Sequence, residues 1–190
     1  MTAAEPGATT VLRGLLDATG GWWSSARVRV VRGGGVVPEG AARLLLRRPL
    51  MGVPAGVRVE DAAGRVVARA LADALDEHDA LRVLLDPLAL ATGLPPVAGA
   101  LPSRARRDAV AALRLCEVRE VVVDGTPAVQ GDVAGLGPPQ RGRRTAGPTS
   151  VVLDRGSGLP LEVGPRGGSP ALVLRVEELD LRLEDDVFAG

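Results

Sequence analysis

Lysine, isoleucine, asparagine and tyrosine are absent from this chain, and Phe188 is its one phenylalanine. These gaps follow GC-rich codon usage and read as the bias of a high-GC bacterial genome rather than as a functional signature. Cys116 is the single cysteine, which excludes an intramolecular disulfide. Set among apolar residues between Leu113 and Val118, it reads as a buried, inert thiol. His78 is the single histidine, so a zinc site would have to be built mainly from carboxylates. Ser/His/Asp chemistry would have to run through the acidic stretch Asp76-Glu77-His78-Asp79. Neither is expected, and no cofactor motif is present. No apolar run reaches the roughly 18 residues of a membrane span. Residues 1–20 lack a basic segment followed by an apolar one, so no export signal is read there and the chain as it stands reads as cytoplasmic.

What is present is a balanced globular composition. The 190 residues are 46% hydrophobic and 24% charged. A chain of that length buries about 70% of its unfolded surface as one domain. With 23 basic residues, all arginine, against 23 acidic ones, the net charge is zero, and no footprint for nucleic acid or an anionic membrane is expected. The clusters Arg104, Arg106, Arg107 and Arg141, Arg143, Arg144 read as solvated loop or helix-end positions. The carboxylates Asp73, Asp76, Glu77 and Asp79, with Asp180, Glu184, Asp185 and Asp186, read as solvated charges rather than as an acid–base pair.

Periodicity divides the chain into short elements. After a loose terminus (1–7), Thr9 or Thr10 can cap a helix with Val11, Leu12, Leu15 and Leu16 on one side, stopped by Gly20-Gly21. Trp22 and Trp23 follow as a core anchor or the lip of a cavity. Ala26 to Arg32 alternates as a strand, with Val28 and Val30 opposite Arg27 and Arg29. Gly33-Gly34-Gly35 reads as a turn, because no helix or Lys-Ser/Thr follows it. Leu44 and Leu46 mark another strand, Val57 and Val59 another, and Ala63-Gly64 turns into Arg65–Arg69. Leu81–Leu85 reads as a short buried strand. Asp86-Pro87 is a helix start, Asp as cap and Pro at the first position. Arg106–Leu115 is an amphipathic helix with Ala109, Val110 and Leu113 inward. Asp124-Gly125 between two strand-like runs is a hairpin turn. Gly135–Thr149 is a long flexible loop. Ser150 to Phe188 closes the chain as a meander, in which the apolar set Leu172, Leu174, Val176 changes parity to Leu179, Leu181, Leu183. An inserted residue at Glu177-Glu178, a β-bulge, would keep both sets on one core. About eight antiparallel strands with interspersed helices make an α+β architecture: a curved antiparallel sheet, an incomplete β-barrel, with helices covering the concave face.

The order of these pieces resembles a known family. Helix Val11–Ala18 runs into Ala26–Arg32; Arg48-Pro49 precedes Val57-Arg58-Val59-Glu60; Leu84-Leu85-Asp86-Pro87-Leu88 sits mid-chain, before Val121–Ala128. Val152-Leu-Asp-Arg-Gly-Ser-Gly-Leu-Pro-Leu-Glu-Val163 resembles a hairpin of the bacterial outer-membrane lipoprotein carriers and the related periplasmic sigma-factor regulators. The resemblance implies a half-barrel around an apolar cavity that takes a lipid or lipoprotein acyl chain, without catalysis or cofactor, and an extracytoplasmic site of action. The cavity lining is then expected from Trp22, Trp23, Val28, Val30, Leu44, Leu46, Val57 and Val59. The alternative is a regulatory domain of the same fold, without a lipid ligand, that docks a protein partner through an exposed edge or the Gly135–Thr149 loop.

Overall fold

A computed structural model describes residues 7–17, 23–48, 54–71, 86–92, 104–134 and 148–188. The first element is helix α1 (Ala8–Asp17), which buries Leu12, Leu15 and Leu16 as the spacing predicts. Four strands follow: β1 (Ser25–Gly33), β2 (Ala41–Arg47), β3 (Gly56–Asp61) and β4 (Val66–Leu71). Two short helices, α2 (Pro87–Thr92) and α3 (Arg104–Ala112), precede β5 (Arg114–Val123), β6 (Thr126–Ala134), β7 (Thr149–Asp154), β8 (Pro160–Pro165) and β9 (Leu172–Leu179). The expected strand at Leu81–Leu85 and loop at Gly135–Thr149 fall largely or wholly outside the described residues.

The nine strands form one antiparallel sheet in the order β4-β3-β2-β1-β9-β8-β7-β6-β5. Two meanders, β1–β4 and β5–β9, are therefore joined where the first strand pairs with the last. The β5–β6 hairpin has a local cause. Asp124 and Gly125 both take positive φ, 49° and 82°, the geometry that a two-residue turn needs to match strand twist. The parity change in the last strand is a bulge: Val28 faces Val176 but Arg27 faces Glu178, so Glu177 is the extra residue. It brings Leu179 opposite Ala26. The strand then ends there, and Leu181 and Leu183 do not continue it as the alternation suggested. Asp180, in the left-handed region at φ 56°, accepts hydrogen bonds from Ser24 N at 2.7 Å and Ser24 Oγ at 3.0 Å, and the chain turns out of the sheet.

One sheet face, here called inner, shares a single apolar cluster with the helices. Val28, Leu44, Leu46, Val57, Val59, Val129, Val151, Leu153, Leu172 and Leu174 meet Leu12 and Leu16 of α1, Leu88 of α2 and Val110 of α3. Burying each such side chain stabilises the fold by about 1.5–3 kcal/mol. The outer face is charged along β1 and β2 and carries a smaller cluster of Ala128, Val152 and Leu161. Across its β1–β3 end runs the C-terminal segment. Ser25 Oγ donates to Leu181 O at 2.5 Å, and buried Arg47 donates to Pro54 O, Leu183 O and Asp185 Oδ1 at 3.0, 2.9 and 2.6 Å. A short 3₁₀ turn, Asp185–Val187, then delivers Phe188 onto β3.

Candidate functional site

The residues expected to line a cavity are brought together on the inner face. Val28, Leu44, Leu46, Val57 and Val59 are each at most 1% exposed, and Trp23 joins them at 4%. Val30 is partly buried and packs against the same cluster. Trp22 lies outside the described residues.

Open space lies at the rim. A cleft of about 870 Å³ is walled on one side by the β1–β2 turn, residues 33–41, and on the other by Ala68 and Arg69 of β4. The sequence shapes it directly. Gly33-Gly34-Gly35 and Gly40 leave much of one wall as bare main chain, and Gly34, Gly35 and Gly40 take positive φ of 61°, 73° and 80°. A Cβ at Gly34 would stand 2.9 Å from the Ala171 carbonyl carbon, so the turn rests against the start of β9 through bare backbone. Val37 reaches back into the core at 5% exposure and anchors the turn, while Glu39 and Arg69 place opposite charges on the two walls. Beside the cleft, Val66 and Val67 are 41% and 42% exposed, and among the described residues nothing pairs with the far side of β4.

A buried polar cluster lies on the helix side. Arg106, read from the sequence as a solvated helix-end charge, is buried. It projects from α3 one turn before Val110, on the same side of the helix, and this i, i+4 relation is the signal that could have placed it. Its Nε and Nη2 donate to Leu16 O at 3.1 and 2.7 Å, Nε also reaches Asp17 O at 3.0 Å, and Nη1 stands 3.0 Å from Asp86 Oδ1. The same Asp86 oxygen accepts from Leu88 N and Ala89 N, so one carboxylate caps α2, as predicted, and holds α3. Arg48 lies over the Trp23 ring, its Cζ 5.4 Å from the centroid. Burial lowers its pKa, and the charge of Arg106 lowers it further. Tying three helices together is the work these groups do.

The remaining candidates disperse. Cys116 is exposed rather than buried: it sits opposite Asp132 at the sheet edge, with Glu117 bulged at φ 53°, while Leu115 takes the apolar side. Asp180 and Asp185 are spent on Ser24 and Arg47, and Glu184 pairs with Arg182 at 3.0 Å. His78, Asp73, Asp76, Glu77, Asp79 and the arginines at 141, 143 and 144 lie outside the described residues. Among the described residues no group of three His, Cys, Asp or Glu side chains is arranged to hold a metal, and no helix is long and apolar enough to cross a membrane.

No protein-family model and no curated protein matches the chain. Among solved structures it is similar to MucB in complex with MucA(peri), at 23% identity and a TM-score of 0.38, over 96% of this chain and 59% of that one. It is also similar to the Pseudomonas aeruginosa MucA/MucB complex, at 18% identity and a TM-score of 0.39, over 96% of this chain and 61% of that one. The chain thus spans less than two thirds of the length of both. MucB is a structural neighbour at a level of superposition that carries neither its chemistry nor its partner across.

Proposed function

We propose that this chain is a non-catalytic protein-interaction domain that receives a segment of a partner protein in the cleft between the 33–41 turn and β4. The observation that carries this reading is the cleft's composition: one wall is glycine-rich main chain, the other an edge strand, with Glu39 and Arg69 at the walls. Main-chain N–H and C=O groups at a sheet edge are matched by another polypeptide, which pairs them as it docks. An acyl chain would cover them without hydrogen bonds, at a desolvation cost. The near-complete burial of Val28, Leu44, Leu46, Val57 and Val59 further supports a filled inner face, with binding displaced to the rim.

An acyl chain in the same cleft is the second reading, favoured by Val36, Val37, Pro38 and Ala68 in its lining. Each buried methylene would contribute about 0.8 kcal/mol without any specific polar group.

A photo-crosslinking residue at exposed position Arg69, used in the native host, tests the first reading. The expected result is one dominant protein adduct, competed away by excess untagged domain. The same probe at Glu120, on the opposite edge strand, is expected to give no such adduct. Identical adducts from both positions would remove the cleft from consideration. Displacement of a fluorescent fatty acid, blocked by Ala68→Trp, would establish the acyl-chain reading instead.

A further inference from the structure

The outer face of β1 carries an irregularity that the cleft does not use. Strict alternation would place Arg32 with Val28 and Val30 on the inner face. Instead β1 pairs Val30 with Leu174 and then Arg32 with Val173, so Val31 is skipped. The bulge returns Arg32 to the face of Arg27 and Arg29 and leaves Val31 58% exposed.

Arg29, next along that face, stands directly between two more arginines: Arg43 on β2 and Arg175 on β9 are its partners in register. Like charges directly opposite one another destabilise a sheet. The flanking two are neutralised outward. Arg43 stands 3.3 Å from Glu177 and 3.9 Å from Glu60, and Arg175 pairs with Asp124 and, at 3.2 Å, with Glu162. Arg29 makes no ion pair or side-chain hydrogen bond among the described residues, and Arg32 donates only to the Pro170 carbonyl, at 2.7 Å. Two exposed guanidinium groups without a carboxylate therefore bracket an exposed valine.

We propose that Arg29, Val31 and Arg32 form a docking surface for an extended acidic segment of a partner protein. This names the partner's chemistry for the interaction role above, and it rests on that role. Through the bulge, Arg29 and Arg32 hold successive same-face positions on β1. An extended chain presents its own same-face side chains every second residue, about 6.6–6.8 Å apart, so carboxylates at i and i+2 meet both arginines. Arginine–carboxylate contacts of this kind are charge-assisted and geometrically selective. A continuous polyanion fits less well, because the neighbouring Arg27, Arg43 and Arg175 are already paired with Glu178, Glu177 and Glu162, and the chain has no net positive charge.

The test uses a fluorescein-labelled peptide of alternating Glu and Val, read by anisotropy on the full chain. Binding is expected to weaken with salt and to fall about tenfold for Arg29→Gln and again for Arg32→Gln, as loss of a charged hydrogen bond predicts. Arg107→Gln, on α3, is expected to leave it unchanged. Arg29→Gln relieves like-charge repulsion, so its melting temperature is expected to hold or rise, which separates lost binding from lost folding. Equal binding of a Gln-Val peptide, equal binding by the Arg29→Gln/Arg32→Gln variant, or arginine-dependent binding of phosphatidylglycerol vesicles or RNA in place of the peptide would each overturn the assignment. If the Arg69 probe still captures its partner in the double variant, the cleft reading stands and the arginine surface alone falls. If that probe captures nothing in the parent chain, the interaction role itself falls.

Discussion

The ring of Phe188 occupies the space where a Cβ on residue 56 would stand, its Cγ only 2.6 Å from that position. Glycine at 56 is thus the counterpart of the chain's one phenylalanine. Arg47 lies over the ring, its Cζ 4.7 Å from the centroid. Phe188→Ala is expected to lose about 3–5 kcal/mol in urea denaturation, as for other buried aromatics. Gly56→Ala is expected to lose about 1–3 kcal/mol, because the ring must move against Arg47. In a Phe188→Ala background the same Gly56→Ala change should cost almost nothing. Additive effects in the double mutant would mean that the two sites do not share space.

Asp86 serves two partners, the N-terminus of α2 and the Arg106 guanidinium. Asp86→Asn keeps a capping oxygen and loses the charge, whereas Asp86→Ala loses both. Alanine is expected to be the worse by about 1 kcal/mol, the usual worth of a cap. Arg106→Met strips a donor from the carbonyls of Leu16 and Asp17 and is expected to cost about 3–5 kcal/mol. A thermal melt of Arg106→Met that overlays the parent would show that this cluster does not hold the helices.

Gly131 marks where α1 rests on β6. A Cβ there would lie 2.6 Å from Leu12 Cδ2 and 3.1 Å from Val118 Cγ2. Gly131→Ala is expected to destabilise by about 1–3 kcal/mol, and Leu12→Ala to relieve most of that increment. Hydrogen exchange read at the α1 amides would locate the effect; protection lost only in β6 would contradict it.

Asp61 organises the β3–β4 turn. Its Oδ1 accepts from Ala63 N at 2.8 Å and Arg65 N at 2.9 Å, and its Oδ2 from Arg65 Nε at 2.7 Å. The Arg65 backbone N–H first, then its side chain, hold the carboxyl below its ordinary value. Because the folded pKa is the lower one, the stabilisation is complete above the unfolded value near 4 and is lost as pH falls through the folded value. A carboxyl-carbon NMR titration is expected to give Asp61 a midpoint below the ordinary aspartate value, and Asp61→Asn to flatten the acid limb of the turn's stability. A midpoint at or above the ordinary value would contradict the assignment.

The local features were legible because their causes are local. Leu12, Leu15 and Leu16 at helical spacing, Asp86 before Pro87, Asp124-Gly125 between alternating runs and the parity change at Glu177 each depend on residues within a few positions of one another. The errors came where distant chain decides. Cys116 looked buried from its neighbours, but a strand has two faces and β5 is an edge. Arg106 looked solvated, but the end of α1 comes to lie against it, some 90 positions away in sequence. The last leucines continued a strand pattern on paper. In space, Ser24 and Ser25 draw Asp180 and Leu181 out of the sheet.

Periodicity and turn chemistry alone determined that this would be an antiparallel α+β domain, with Val28, Leu44, Leu46, Val57 and Val59 on one buried face. Backbone hydrogen bonding and a two-residue side-chain repeat leave a strand little choice about which of its own residues share a side. Tertiary structure alone decided that β1 would pair with β9. That pairing sets Arg29 between Arg43 and Arg175 and turns Arg32 outward around Val31. Register between strands some 140 residues apart depends on how whole faces pack, and no local pattern in the chain encodes it.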